Sequence, residues 1–387
     1  MSSSLEGRID IRLTRTGEAV ANVAIRSSRP QLAQKLMAGR GPEEVADLAG
    51  LIFSLCGKAQ RVAAQAACEA ARGLTPGRDA LRQREHTVLV ERAQEHVWRL
   101  LLSWPEQAGR SPDMPSLLAL RQAAESSRFS AYESGVPLAG AAVEPARFAD
   151  ALDGLLETTL VGEPPAQWAS RDLAGFDAWR HQSATLVAKL FADLGEGPDM
   201  GMSRVPLLPA LAHLDSALAA DLARQALADA AFCSAPRWLG EPAETGAPAR
   251  VSDHPMLAGW IAQRGRGAGA RLLARLLELA ELPQRLRADP GQSDGAAVVR
   301  SWALEDNVGM AGVETSRGLL IHVVRLRDGR VADYRIIAPT EWNFHPSGPL
   351  AQALAGLEAG PGLEARARLV SQSLDPCVSY GIELSDA

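Results

Sequence analysis

Leu55-Cys56-Gly57-Lys58-Ala59 near the start of the chain and Asp375-Pro376-Cys377-Val378-Ser379-Tyr380 near its end are the stretches that decide the fold. Cys56 heads an alanine-dense run that reaches Arg72, with Gly73 placed to cap it, so the run reads as a helix with a cysteine at its N-terminus. A helix N-terminus favours the thiolate that binds metal. A Cys-x-x-Cys pair there would put both sulfurs on one face, because residues three apart are neighbours on a helix. Here the third position after Cys56 is Ala59, and the third after Cys377 is Tyr380. Cys68 cannot supply the missing partner, since twelve residues further along one helix it points roughly a third of a turn away. Taken singly, a free cysteine is most often a small buried hydrophobe, and Cys68 and Cys233 keep that assignment.

The gross numbers narrow the classes. At 387 residues there is room for two or three lobes around a sizeable core. A hydrophobic content of 47% with 22% charge excludes a disordered or fibrous chain. A net charge of −6 without any Lys/Arg-dense run gives no reason to expect nucleic acid. Four cysteines in a chain this long do not make a disulfide framework. Residues 1–15 lack a basic-then-apolar signal pattern, and no stretch approaches the ~18 apolar residues of a membrane span. These features point to a soluble, cytoplasmic protein that engages no membrane.

Along the chain, Ile9, Ile11 and Leu13 alternate on one face, and a turn at Thr16-Gly17 leads to a second apolar stretch, so residues 1–30 read as an N-terminal hairpin. Residues 42–103 read as helices, the second long one carrying Val88, Leu89, Val97, Leu100 and Leu101 at helical spacing. Prolines and glycines mark 104–170 as a connecting region. A helical lobe follows over 171–300, interrupted by a loop at 234–254 and ending in a strong amphipathic helix at 267–288. Residues 313–340 hold a hairpin, Leu319–Arg327 and Val331–Ile337 about an Asp328-Gly329 turn. Residues 341–387 form a C-terminal segment with helix at 349–358 and 362–373. The whole is one α+β unit over 1–387, mainly helical, with small antiparallel sheets near both ends.

Two softer signatures precede the second cysteine: Val313-Glu314-Thr315-Ser316-Arg317-Gly318 and Ala338-Pro339-Thr340-Glu341-Trp342-Asn343. With the two cysteines, in this order, they resemble the large subunit of nickel-iron hydrogenases, which has Cys-Gly-x-Cys early and Asp-Pro-Cys-x-x-Cys at its end. Shorter matches extend the likeness over most of the chain. Glu6-Gly7-Arg8 is similar to the family's Glu-Gly-His strand start, and Gly39-Arg40-Gly41-Pro42 to its Gly-Arg-Asp-Pro turn. His96 falls where the family has a His-rich stretch. The chain keeps the first cysteine of each pair and lacks the second.

The resemblance implies what those losses mean. In the enzymes four thiolates hold nickel, and the second cysteine of each pair also bridges to an iron bearing cyanide and carbon monoxide. Without the bridging pair no nickel and no hydrogen turnover are expected. Two soft thiolates still suit one low-spin Fe(II) with two cyanides and one CO, transiently bound as an Fe(CN)2(CO) unit. Cys56 and Cys377 match terminal nickel ligands, so such an iron would sit shifted from its place in the enzymes. Arg317 matches the family's arginine beside one cyanide, and Pro339-Thr340 the segment whose donors reach the other. The family's magnesium ligands fall at Gln34 and Glu383, so that site is expected to be lost. Its proton-relay glutamate falls at Glu6, taken here as structural, and no proteolytic maturation is expected, since the sequence as read ends at Ala387 without the family's clipped C-terminal extension. The pattern is similar to hydrogenase accessory proteins of the HupK or HoxV type. That likeness implies a scaffold, not an enzyme, that delivers the iron unit to the large-subunit precursor, with the HypC–HypD iron-assembly complex as a second partner. Two rivals remain, an active hydrogenase and a metal-free large-subunit mimic acting as a chaperone; the mimic predicts no dependence on Cys56 or Cys377.

Overall fold

The computed structural model describes residues 7–29, 33–53, 55–126, 145–288 and 297–387, so the Glu6 assignment lies outside the described residues. Arg8–Thr16 forms β1 and Ala19–Ser27 forms β2, paired antiparallel about Gly17, whose φ of 59° suits glycine. Ile9, Ile11 and Leu13 are buried while Arg8, Asp10 and Arg12 between them face water. Helices α1 (Ala33–Met37), α2 (Pro42–Ile52), α3 (Gly57–Ala71) and α4 (Arg78–Trp98) follow. The Gly39–Pro42 turn is pinned to the later sheet by two backbone bonds, Gly39 N to Val331 O and Val331 N to Arg40 O.

The described residues of 104–170, 104–126 and 145–170, go beyond the expected connecting region: they are largely helical and help to build the core. A π-helical turn at Arg99–Ser103 carries α4 into α5 (Trp104–Gln107). Then come α6 (Met114–Ser126), α7 (Pro145–Leu155), a second π-turn at Leu156–Leu160, and α8 (Pro165–Ala169). Pro105, Pro115, Pro145 and Pro165 stand at the first or second helical position, where no N–H is needed, so they start helices rather than break them. Phe148, Leu152 and Trp168 are fully buried. Helices α9 (Leu173–Gln182) and α10 (Leu186–Asp193) are capped by Asp172 and Thr185, and α11 (Ser216–Ala228) by Asp215. After α12 (Ala247–Arg250) and α13 (Pro255–Arg264), α14 (Ala268–Arg287) runs through the middle of the protein, buried on nearly every side. The buried Asp199 fixes its start by accepting hydrogen bonds from the N–H groups of Gly267, Gly269 and Ala270 and from Trp260 Nε1.

Strands β3 (Val299–Ala303), β4 (Val308–Thr315), β5 (Gly318–Arg327) and β6 (Arg330–Ile337) make an antiparallel meander in sequential order. Asp328 (φ 53°) and Gly329 (φ 72°) form the expected tight turn between β5 and β6. β4 is buried along its whole length, because α3 covers one face of this sheet and α11 with the 207–214 segment covers the other. The alanines of α3 let backbone approach backbone: a Cβ on Gly309 of β4 would meet Ala67 O at 2.1 Å. Helices α15 (Pro339–Asn343), α16 (Pro349–Ala355) and α17 (Leu363–Ser373) lead to the last strand, β7 (Ser379–Asp386). β7 pairs with β1 in parallel, in the order β2-β1-β7, which the expectation of antiparallel pairs did not include. The class remains α+β and mainly helical, with 54% of the described residues in helix. Among the described residues no helix is long and apolar enough to cross a membrane.

Candidate metal centre

Four segments far apart in sequence converge. The N-terminus of α3 brings Cys56, the turn between α17 and β7 brings Cys377, the β4–β5 turn brings Arg317, and the first turn of α15 brings Thr340. All four cysteines are free, and Cys56 and Cys377 are the two that keep partial exposure. The Cys56 thiol lies close enough to Cys377 to feel its charge. Burial, then the charge of Cys377, then that of Glu91 push the Cys56 thiol up to about 12, against the opposing pull of Arg317 and Gln60. This corrects the expectation that the helix N-terminus lowers that thiol. The chief reason is burial of the sulfur, and Glu91 of α4 adds to it: its carboxylate accepts the N–H groups of Lys58 and Ala59 at 3.0 Å each and so offsets the positive end of α3. Glu91 is itself pushed up to about 7, chiefly by burial.

Asp375 fixes the second cysteine. Its carboxylate is 1% exposed and is held by three guanidinium groups, Arg99, Arg275 at 3.1 Å and Arg317 at 3.4 Å. Burial alone would raise it, but those three cations outweigh burial and hold it well below the usual carboxylate range. Arg317 thus sits behind Cys377, tied on its far side to Glu95 at 2.7 Å. Its Nη1 is buried without a hydrogen-bond partner. Burial pulls the Arg317 guanidinium down, while Asp375, Glu95, Cys56 and Cys377 together hold it above its ordinary value. The turn that presents it is braced from behind. Asn343 Nδ2 donates to the carbonyls of Thr245 at 3.1 Å and Arg317 at 3.4 Å, and Thr245 N donates to Asn343 Oδ1 at 3.0 Å. Gly318 (φ 129°) has no room for a Cβ, which would meet the Thr245 side chain at 2.5 Å. Thr340 Oγ1 donates to Cys377 Sγ at 3.1 Å, and Pro339 starts α15 so that this hydroxyl faces the sulfur.

Every residue of the expected set, Cys56, Cys377, Arg317, Pro339 and Thr340, therefore lies in one neighbourhood. Trp342 packs in the core and Asn343 braces the turn. Glu314 is structural, accepting from Leu211 N and pairing with Arg250. Sequence reasoning missed Arg29. It pairs with Glu341 at 2.9 Å beside Thr340, and its guanidinium, which burial alone would lower, is held up by Cys377, Glu341 and Cys56. Gly7 (φ 75°) makes room for it, since a Cβ there would meet Arg29 Cα at 2.6 Å. Glu91 and Gln60 were missed too; nothing local in the sequence ties them to Cys56 except the four-residue spacing of Gln60. The positions of the two absent cysteines are otherwise engaged. Ala59 is fully buried, and the Tyr380 hydroxyl bonds Gln372 and Arg368. Gln34 bridges to β6 through Ala332 O, Tyr334 N and Arg335, whereas Glu383 pairs with Arg12 across β1 and β7, so these two do not meet. Among the described residues no group of three or more His, Cys, Asp or Glu side chains is arranged to hold a metal.

Residues 264–382 match the family model of nickel-dependent hydrogenases. Over its whole length the chain is 34% identical to the hydrogenase expression/formation protein HupK of Bradyrhizobium diazoefficiens, covering 99% of that protein. It is 31% identical to the hydrogenase expression/formation protein HoxV of Cupriavidus necator, over 94% of this chain and 93% of that one. Among solved structures, the NiFeSe hydrogenase of Desulfomicrobium baculatum superposes with a TM-score of 0.61 at 15% identity, covering 97% of this chain and 96% of that one. That of Desulfovibrio vulgaris Hildenborough gives 0.58 at 16%, covering 94% and 95%. At such identities the likeness to the enzymes concerns the fold.

Proposed function

The chain belongs to the family of hydrogenase expression/formation proteins that HupK and HoxV represent, and on that premise we propose that it serves hydrogenase maturation as an iron scaffold. Its cargo is one Fe(CN)2(CO) unit, clamped between Cys56 and Cys377 and handed to the hydrogenase large-subunit precursor after receipt from the HypC–HypD iron-assembly complex. The observation that carries this reading is the convergence of two free thiols with Arg317, whose buried Nη1 lacks a partner. A cyanide nitrogen is the kind of acceptor such a guanidinium satisfies.

The donor set suits that cargo. Soft thiolates match low-spin Fe(II), and two sulfurs with three diatomic ligands leave one coordination position through which another thiolate can take the iron. Arg317 and Arg29 supply positive charge toward an anionic unit, and Thr340 supplies a hydroxyl at Cys377. Because burial raises the Cys56 thiol, loading displaces a proton from that sulfur. Two thiolates do not make a four-sulfur nickel site, so the reading includes neither nickel nor hydrogen turnover. Thiols that must stay reduced fit the cytoplasm.

Infrared spectroscopy of the protein purified from cells with the assembly machinery tests this. CO and CN stretches should be present with equimolar iron and without nickel. Cys56→Ser and Cys377→Ser should each abolish the bands with unchanged circular dichroism, since serine is nearly isosteric but a poor ligand for this iron, while Cys68→Ser and Cys233→Ser keep them. Bands that survive in both clamp variants would favour the metal-free mimic; stoichiometric nickel with hydrogen uptake would restore the enzyme.

A further inference from the structure

Behind Cys56 runs a chain of polar groups that iron binding as such does not require. Gln60 lies one turn further along α3, 2% exposed, with its Nε2 at 3.6 Å from Cys56 Sγ. Its Oε1 is 2.8 Å from Nε2 of His322 on β5. His322 Nδ1 is in turn 2.6 Å from the Tyr334 hydroxyl on β6, and the two rings meet edge to face with centroids 5.6 Å apart. His322 and Tyr334 are both fully buried. Burial keeps the imidazole neutral, pushing it down to about 3, and keeps the phenol protonated by raising it well above its usual value.

The direction of the chain follows from the donors. A phenol O–H donates to the bare Nδ1 of a neutral imidazole, which leaves the proton on Nε2. That N–H donates to Gln60 Oε1, so the amide has its oxygen occupied and its NH2 group turned to the sulfur. The reverse order would take the His322 acceptor from the Tyr334 proton, leaving that buried phenol without an acceptor among the described residues, and would set an amide oxygen against Cys56, where it repels the thiolate that forms when iron binds. We propose that Gln60, oriented by His322 and Tyr334, is a positioning residue that presents an N–H to the Cys56 sulfur and thereby tempers its electron donation to bound iron. The role rests on the iron-scaffold reading, and its chemistry is simple. An N–H···S bond withdraws density from a metal-bound thiolate, so the iron donates less into its CO, and the sulfur is a better leaving ligand when cargo is passed on.

Two measurements test it. In the iron-free protein, labelling with 15N-histidine should show His322 as the Nε2–H tautomer at neutral pH; the Nδ1–H tautomer would reverse the amide and overturn the assignment. In the loaded protein, Gln60→Leu should keep the iron but move the CO band to lower wavenumber by more than its width. Tyr334→Phe, which removes a single hydroxyl and spares the packing, should move it the same way by less. An unmoved CO band in Gln60→Leu at full iron content would overturn the proposal. Wild-type protein without CO or CN bands would sink the iron reading and this role with it, while the tautomer would still decide which end of the amide faces the sulfur.

Discussion

Asp375 shows how much one side chain carries. Its single negative charge stands among Arg99, Arg275 and Arg317, and the left-handed backbone at Asp375 (φ 55°) turns the chain so that Cys377 follows at the site. Removing one partner from a buried ionic cluster leaves the others uncompensated, which typically costs about 3–5 kcal/mol. Asp375→Asn is therefore expected to destabilise the fold by that order, seen as a lower urea midpoint, and to empty the clamp of iron, both read on the same preparation. Arg317→Leu should be milder for stability but should shift the cyanide bands, because the cargo loses a charged donor. These residues were legible because each belongs to a short motif with its neighbours in sequence. Arg29 and Gln60 were not, since their decisive partners lie 312 and 262 residues away, Glu341 and His322 respectively. The pull of the α3 terminus on Cys56 was legible too, yet misleading, because burial of the sulfur outweighs it and Glu91 arrives from another helix to offset it.

Among elements, α3 is the one whose placement sets the clamp. Its alanine density gave away the helix, and packing supplies the reason for the alanines: only small side chains let α3 lie against β4 with Gly309 beneath Ala67 and Ala71. A methyl at Gly309 would run into helix backbone, which cannot rotate aside as a side chain can. Gly309→Ala is expected to cost about 3 kcal/mol, at the upper end of overpacking, and to reduce iron content by displacing Cys56 at the head of the helix. Full iron retention with wild-type thermal unfolding would show that α3 tolerates a looser seat. The helices of 104–170 escaped notice because proline serves equally as breaker and as first-turn residue, and one sequence does not say which. β7 escaped because a parallel partner must come from elsewhere: Ile382 pairs with Ile11, and neither segment announces the other.

For the molecule as a whole, acid stability should report the buried histidines. His96, bonded to Glu278 at 2.9 Å, and His86 are pushed down to about 4 mainly by burial, and His322 to about 3. His254 and His345 shift the same way. An unfolded chain protonates such rings near pH 6.5, whereas the folded one does so only near its lowered values, so the unfolded state binds more protons across that window. Stability is thus full above about pH 6.5 and is lost as pH falls, on the order of 3 kcal/mol for a ring lowered to about 4. Glu91 works in the opposite sense, since at about 7 it takes a proton in the folded state before the unfolded one. One carboxylate against three strongly shifted rings leaves the sign unchanged. Burial also raises Glu85, Asp199, Glu281 and Glu341, which flattens the slope toward its acid end. The steepest loss is therefore expected between about pH 6.5 and 5, seen as a falling urea midpoint at constant slope. His96→Gln keeps a donor for Glu278 but cannot titrate, so it should make that fall shallower; a midpoint that stays level from pH 7 to 5, or a variant with the wild-type slope, would mean that the rings take up their protons without opening the core.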